Sequence, residues 1–174
     1  MKKSLAATVV ACVLSLAPGP AYAKESTKKL NPVVHVCTKK DSSVDALACN
    51  IYKEGRGESL NGQMAIAFVT MNRAMHDKFP SSVRKVVYQP SQFSWTNDNR
   101  PGYKIRDAEA WETAHKISKF VYSIRNKTFL YNLLDNTNGS IYYHHVGIRP
   151  YWSKKFKKTV TIDNHVFYKP KEIA

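Results

Sequence analysis

The segment between Asp41 and Gly57 constrains the fold most strongly, because a helix start, an apolar stripe and a helix end follow one another there. Ser42 and Asp45 form the Ser-x-x-Asp pattern that caps helix N-termini. Gly55 and Gly57 predict where the helix ends, since glycine is unfavourable inside helices and common after them. Between these limits, apolar residues recur at the spacing of one helix face, at Val44, Leu47, Ala48, Ile51 and Tyr52.

The same stripe continues into two carboxylates. Counted from Leu47, Glu54 lies seven residues on and Glu58 eleven, which returns both to one helix face. A carboxylate on a core-facing stripe loses hydration, and the usual response is a raised pKa. A carboxyl group that stays protonated near neutral pH is what a general acid needs to protonate a glycosidic oxygen. Glu54 is therefore the candidate acid catalyst, and Glu58 is a candidate second catalytic carboxylate.

The spacing alone leaves alternatives open for both acids. An ion pair of Glu54 with Arg56 or Arg73 would also explain a carboxylate on the apolar face. Glu58 follows both glycines, so it is equally suited to accepting backbone N–H groups or to orienting Arg56. A two-carboxylate glycosidase needs carboxyl groups about 5 to 10 Å apart, which residues four positions apart satisfy only at the near end.

Three further helices are predicted from local signals. The second is expected to begin at Asn61, a favourable N-cap residue, and to end before Pro80. Ser82 is expected to cap a short helix that ends near Val87. A third long helix is predicted for residues 106–124, where apolar residues line one face.

Short strands are predicted between and after these helices. One lies within 33–36 and another within 141–145, while 159–162 and 165–168 are joined by Asp163-Asn164, a two-residue hairpin signal. The expected fold class is therefore α+β, mostly α, as a single domain with a small β element.

The N-terminus has the composition of an export signal. Residues 1–23 combine two lysines, an apolar run and an Ala-Tyr-Ala cleavage pattern, which predicts a secretory signal peptide. A less favoured alternative is a lipoprotein signal acylated at Cys12. Residues 24–40 are expected to form a basic flexible arm, and residues 41–174 the folded domain. The mature chain is expected to be periplasmic, extracellular or wall-associated, without a stable membrane span.

The charge balance predicts a polyanionic partner. Lys and Arg number 27 against 13 Asp and Glu, giving a formal net charge of +14. For an exported chain the polyanion is expected to be a cell-wall polymer, an acidic peptide stem or an anionic lipid, and not nucleic acid. A basic surface that only maintains solubility is the alternative. The sequence leaves the oligomeric state open.

Cys37 and Cys49 are the two cysteines that remain after cleavage of the signal peptide. Export favours an oxidised pair, which would stabilise the fold by about 3 kcal/mol. A pair of buried free thiols is the alternative. Their spacing and the few nearby histidines do not indicate a zinc site, so neither a metal nor another cofactor is expected.

Aromatic residues are frequent in the predicted loops and strands. Sugar rings stack on aromatic side chains, and histidines can donate hydrogen bonds to them. About half of the tyrosines would belong to the core of any such domain, and a strand histidine is often structural. The candidate sugar-binding residues are Gln92, Phe93, Trp95, Tyr142, Tyr143, His145, Trp152 and His165.

Several uncommon motifs resemble one family and occur in its order. Residues 51–59, Ile-Tyr-Lys-Glu-Gly-Arg-Gly-Glu-Ser, resemble the Ile-Tyr-Gly-Glu-Ala-Arg-Gly-Glu signature of the spore-cortex-lytic (SleB-type) cell wall hydrolases. The likeness spans residues 46–168. Its other segments are 62–67, 69–73, 79–80, 86–94, 141–144, Trp152 and 165–168.

The resemblance implies a fold similar to lysozyme and the lytic transglycosylases, with a groove between a helical part and a small β part. It implies cleavage of peptidoglycan glycan strands between N-acetylmuramic acid and N-acetylglucosamine. The first glutamate of the signature, the implied catalytic residue, falls on Glu54. Glu58, Gln92, Tyr142 and His165 are then expected to shape the groove.

The chain departs from the family pattern close to the implied acid. Gly55 replaces an alanine, Lys53 replaces a glycine, and Asp163 stands where the family often has glycine. These changes affect the backbone and not the acid itself. The alternative function is a non-catalytic peptidoglycan-binding protein with a lysozyme-like shape. A basic protein that binds nucleic acid or membranes is a third, which the signal peptide disfavours.

Overall fold

The structure, a computed structural model, describes residues 31–97 and 102–171. The predicted signal peptide, Cys12 and the beginning of the predicted arm lie outside the described residues. Within the described segments, no helix has both the length and the apolar character needed to cross a membrane. The helices there are α1 (Ser43–Gly55), α2 (Leu60–Ala74), α3 (Val83–Val87), α4 (Ala108–Ser123) and α5 (Thr128–Leu134), with 3₁₀ turns at Ser94–Thr96 and Tyr151–Lys155.

The strands of the described residues form two small antiparallel sheets. They are β1 (His35–Cys37), β2 (Tyr103–Ile105), β3 (Tyr142–His145), β4 (Lys157–Ile162) and β5 (His165–Lys169). β1 pairs with β2, and the second sheet has the order β3-β5-β4. The predicted hairpin at Asp163 joins β4 and β5, with Asp163 at φ 47°, which aspartate tolerates better than most residues. The expected α+β, mostly α class is confirmed.

Helix α1 is the centre of the fold and packs against α2, α3 and α4. Leu47 and Ile51 are fully buried, as the stripe predicts, and each contributes about 1.5–3 kcal/mol by leaving water. The opposite side of α1 is buried too, because small side chains such as Ala46 allow close packing. Asn50 is also fully buried, and its Nδ2 donates to Thr70 Oγ1 at 3.1 Å.

Most predicted helix starts agree with the structure. Ser42 caps α1 by accepting from Asp45 N at 3.1 Å, and Ser82 caps α3. The predicted N-cap of α2 is wrong by two residues: Ser59 caps this helix, accepting from Gly62 N at 3.2 Å. Asn61 instead uses its side-chain oxygen to accept a hydrogen bond of 2.7 Å from Asn136.

The predicted arm of residues 24–40 is too long. Residues 35–37 pair with β2, and Cys37 is 2% exposed and bonded to Cys49 of α1. The disulfide candidate is therefore confirmed in the structure. The folded domain includes His35 onwards and so begins before the predicted boundary at Asp41, because backbone pairing and a covalent bond fix this segment.

Candidate active site

Glu54 lies in the last turn of α1 and is partly buried. Its Oε2 accepts a hydrogen bond of 3.1 Å from Tyr143 Oη. Burial raises the pKa of the Glu54 carboxyl, while the Tyr143 hydrogen bond and the charges of Arg73 and Lys53 lower it. The effect of burial prevails, so Glu54 keeps its proton to a higher pH than a carboxyl in water does.

Arg73 places a buried cation near this carboxyl. It is 5% exposed, and its Nε donates to the carbonyl of Ile141 at 2.7 Å. Its Nη1 is buried without a hydrogen-bond partner in the described part of the chain. Aromatic faces surround the guanidinium carbon, with ring centroids at 5.3 Å for Phe93, 5.6 Å for Phe79 and 5.9 Å for Tyr143.

Neither of the structural ion pairs considered from the sequence forms. Arg56 donates from Nη1 to Tyr52 Oη at 3.1 Å, which turns it to its own helix. Arg73 acts on Glu54 through its charge, without an ion pair between them in the described residues. Among the described residues, Glu54 therefore has no direct ionic partner that would neutralise it. Its carboxyl remains available for proton transfer.

Tyr143 is positioned by the second sheet. It pairs with Phe167 of β5, and the ring of His165 lies 5.2 Å away in an edge-on arrangement. Burial raises the pKa of Tyr143 well above its usual value. Its hydroxyl therefore stays protonated and acts as a fixed donor to Glu54.

Glu58 faces the β4–β5 hairpin. Its Oε2 accepts from the backbone N of Asn164 at 3.2 Å, and both carboxylate oxygens lie within reach of Asn164 Nδ2. His165 Nδ1 is 3.9 Å from Glu58 Oε1, and burial lowers the pKa of this histidine. The structure thus gives Glu58 the acceptor role that the sequence had left as an alternative.

A second acid fixes the same hairpin to the start of α2. Asp163 Oδ2 accepts from Ser59 N at 2.9 Å and from Ser59 Oγ at 2.6 Å. Gly62 permits this approach, because a Cβ there would lie 2.3 Å from Asp163 Oδ2 and 2.9 Å from Glu58 Cβ. The aspartate that departs from the family pattern therefore makes a specific contact.

The predicted aromatic residues divide into exposed and structural groups. Tyr142 and Trp152 are partly exposed and have ring centroids 5.6 Å apart, with Phe156 packed against both. Phe93 is buried beneath Arg73, and Trp95 donates from Nε1 to Asn50 Oδ1 at 3.1 Å. Tyr142 and Trp152 thus form a surface on which a sugar can stack, whereas Phe93 and Trp95 support the core.

The remaining candidates occupy different positions. His145 is exposed, and its Nδ1 accepts from Gly147 N at 3.1 Å. His165 is buried beside Glu58 and Tyr143. Gln92 is partly buried in the loop after α3, where its backbone N donates to Gln89 O at 3.2 Å. His165 thus contacts Tyr143, whereas His145 pairs with His165 at the end of β3 and has no contact with Glu54 among those described.

One group of potential metal ligands occurs among the described residues. The ligand atoms of His35, Cys37, Asp41 and Cys49 lie within 4.8 Å of one another. The disulfide occupies both sulfurs, however, and so removes the two strongest ligands of the set.

Sequence reasoning considered Arg73 only as an ion-pair partner and missed its aromatic enclosure. The sequence indicates that this cation, on a helix of otherwise uncharged residues, requires compensation where it is buried, but not which side chains provide it. Phe79, which packs against both Arg73 and Tyr142, was likewise missed as a site residue.

Relatives of known type match parts of this chain. The spore cortex-lytic enzyme of Bacillus subtilis (strain 168) is 38% identical over 60 residues, covering 34% of this chain and 20% of that protein. The corresponding enzyme of Oceanobacillus iheyensis is 34% identical over 71 residues, covering 38% of this chain and 26% of that protein. The aligned parts thus span about a quarter or less of these curated relatives.

Solved structures match over a larger share. The catalytic domain of Bacillus cereus SleB superposes with a TM-score of 0.55 at 25% identity, covering 73% of this chain and 89% of that one. The catalytic domain of the germination-specific lytic transglycosylase SleB from Bacillus anthracis gives the same values, with 93% of that chain covered. Residues 57–168 match the family model described as Cell Wall Hydrolase, in a segment that begins just after Glu54. Since the match extends over more than half of its length, this chain belongs to the cell wall hydrolase family.

Proposed function

We propose that this chain cleaves peptidoglycan glycan strands between N-acetylmuramic acid and N-acetylglucosamine, as a lytic transglycosylase with Glu54 as the acid. The observation that carries the proposal is the partly buried Glu54 carboxyl, whose pKa is raised and which has Tyr143 as its hydrogen-bond donor. Membership of the cell wall hydrolase family supports a wall substrate, as do relatives named for lysis of the spore cortex.

In the first step, protonated Glu54 donates its proton to the glycosidic oxygen. The bond between that oxygen and C1 of the muramic residue breaks, and positive charge develops at C1. The carboxylate left behind lies near the Arg73 cation and accepts from Tyr143, and both interactions favour the ionised form. Burial thus supports the acid form, and these two partners limit the cost of ionisation.

In the second step, the muramic 6-hydroxyl attacks C1 and Glu54 takes up its proton, which regenerates the acid and releases an anhydro sugar. Attack by water instead would give a reducing end, as in a muramidase. Attack by the 6-hydroxyl is favoured because Glu58 is hydrogen-bonded to Asn164 and is not free to serve as a nucleophile or to activate water. We therefore assign Glu58 a positioning role.

Substrate contacts are proposed at the partly exposed aromatic residues beside the acid. Tyr142 and Trp152 present faces suited to sugar rings, and Phe79 continues this surface towards Arg73. His165 shapes the wall of the site through Tyr143. Residues 1–23 are proposed to export the chain, so that it acts in the periplasm or at the wall, with Glu54 facing polymer outside the cytoplasm.

Mass spectrometry of fragments released from purified sacculi tests the proposal. We expect disaccharide peptides that end in anhydro-muramic acid. If the fragments had reducing ends, Glu54 would remain the proposed acid, but the second step would be hydrolysis and not transglycosylation. Binding to sacculi without any release of fragments would contradict the proposal and favour the non-catalytic wall-binding alternative.

A further inference from the structure

A cavity lies where the turn after β1 approaches α3 and the segment that follows α3. Its volume is about 370 Å³, within the range of about 300–1,000 Å³ that is usual for ligand sites. Glu54 does not line it, so the cavity is separate from the candidate active site. The lining residues are Lys39, Pro80, Arg84, Lys85, Tyr88, Gln89 and Pro90.

Three cationic residues border the cavity. Lys39, Arg84 and Lys85 line it, no acidic residue does, and none of the three cations forms an ion pair within the described residues. Lys39 comes from a segment distant in sequence from the other two, so the tertiary fold brings the charges together. The Asp41 carboxylate contacts the lining only through the Tyr88 hydroxyl, which donates to it at 3.2 Å.

The walls between these cations are apolar. Pro80 and Pro90 contribute aliphatic rings, and the hydroxyl of Tyr88 is engaged with Asp41, which leaves its ring as the available surface. A bare phosphate would use the cations but not these walls. A short peptide whose carboxylates are carried on methyl and methylene groups would use both.

Along the chain, two of the lining residues lie close to residues beside the active site. Pro80 directly follows Phe79, whose ring centroid lies 6.2 Å from that of Tyr142. Pro90 precedes Phe93 by three residues in the loop beneath Arg73. A strand stacked on Tyr142 would pass Phe79, from which the chain leads directly to Pro80 in the cavity wall.

We infer that this cavity binds the acidic peptide stem of a peptidoglycan strand. The inference rests on the proposed function, since it assumes that the strand lies across Tyr142. The cations pair with the free carboxylates of the stem, and the proline and tyrosine surfaces contact its short aliphatic groups. The cavity thereby favours strands that still carry their peptides over strands that have been stripped of them.

The test measures binding and does not depend on cleavage. Glycan strands of equal length, with stems intact or removed by an amidase, are immobilised and titrated with the full chain carrying Glu54→Gln. We expect tighter binding to the stem-bearing strands. Adding Lys39→Gln, Arg84→Gln and Lys85→Gln should reduce this preference by about fivefold or more, since each exposed ion pair has a modest effect.

The matched control carries Lys119→Gln, Lys127→Gln and Lys157→Gln, which remove the same charge from positions outside the cavity. It should bind both strands more weakly but keep the preference for stems. The inference is overturned if the chain shows no preference, if both triple variants lose it equally, or if a phosphate-rich wall polymer competes better than soluble stem peptide. Failure of the proposed function would appear separately, as absence of fragment release by the chain with Glu54 intact.

Discussion

Glu54 and Glu58 belong to the same short motif, yet the fold gives them different hydrogen-bond partners. The Glu58 side chain is 10% exposed and accepts hydrogen bonds from the backbone and side chain of Asn164. Glu54 is partly buried and accepts from Tyr143. Burial disfavours the ionised form of any carboxylate, whereas donors restore it. The comparison teaches that the neighbours of a buried carboxyl decide its role: Asn164 holds Glu58 to the hairpin, whereas Tyr143 as donor suits Glu54 to the proposed proton transfer.

The largest expected difference between the two acids is in catalysis. Glu54→Gln should lower the rate of fragment release from sacculi by about a thousandfold, because a general acid supplies an effect of that order. Glu58→Gln keeps a carbonyl acceptor for Asn164 and should retain most of the activity. Equal losses in the two variants, measured by chromatography of released fragments, would show that the two acids are not functionally distinct.

Stability should respond in the reverse order. Glu58→Ala removes the protein acceptor of the Asn164 donors, which are exposed enough to be hydrated instead. It should lower the free energy of unfolding by about 0.5–1.5 kcal/mol, the usual net contribution of a hydrogen bond. Glu54→Gln should not lower it at neutral pH, since the amide avoids a partly buried charge. Urea denaturation of both variants makes this measurement, and a destabilised Glu54→Gln protein would contradict the assignment.

A smaller effect should distinguish the donor of Glu54. Tyr143→Phe removes the hydrogen bond that lowers the pKa of Glu54, so the basic limb of the rate profile should move to higher pH. The maximal rate should fall by about five- to tenfold, the effect of one hydrogen bond. Tyr142→Phe is the control and should leave the limb in place. If the basic limb of the pH–rate profile did not move in Tyr143→Phe, the Tyr143 hydrogen bond would have no effect on the pKa of Glu54.

The smallest effect concerns stability against pH. The folded-state pKa of Glu54 is raised above 4.5, its usual value, so its stabilising contribution is present below that pH and is lost as the pH rises through the folded value. The melting temperature of Glu54→Gln should therefore gain on that of the unsubstituted chain as the pH rises from 4.5 towards neutrality. If the difference between the two melting temperatures decreased as the pH rose, the inferred direction of the Glu54 pKa shift would be wrong.

Local signals explain which parts of the fold the sequence predicted. Helices α1 and α3 and the β4–β5 hairpin have their determining residues within a few positions, so they were predicted correctly. Helix α5 was missed because no side chain caps it. Its Phe129 and Leu133 are 82% and 68% exposed, so the apolar residues of this helix do not mark a buried face. The start of α2 was misplaced because Asn136, distant in sequence, holds the expected cap residue.

Site residues were predictable only where nearby residues in the sequence determine their surroundings. Periodicity placed Glu54 on the apolar stripe of α1 and gave the direction of its pKa shift. The role of Glu58 depends on Asn164, which is 106 residues away in sequence. Arg73 is enclosed by rings from three separate segments, so no spacing rule could indicate its surroundings.

The bond between Cys37 and Cys49 makes the durability of the fold depend on the thiol chemistry of its surroundings. A closed loop of this kind contributes about 3 kcal/mol, a large share of the roughly 5–15 kcal/mol that keeps a domain folded. In a compartment that reduces thiols, the newly made chain would lack this contribution and unfold more readily. Under the proposed function, an enzyme that cleaves the cell's own wall would thus become fully stable only after export from the compartment in which it is synthesised.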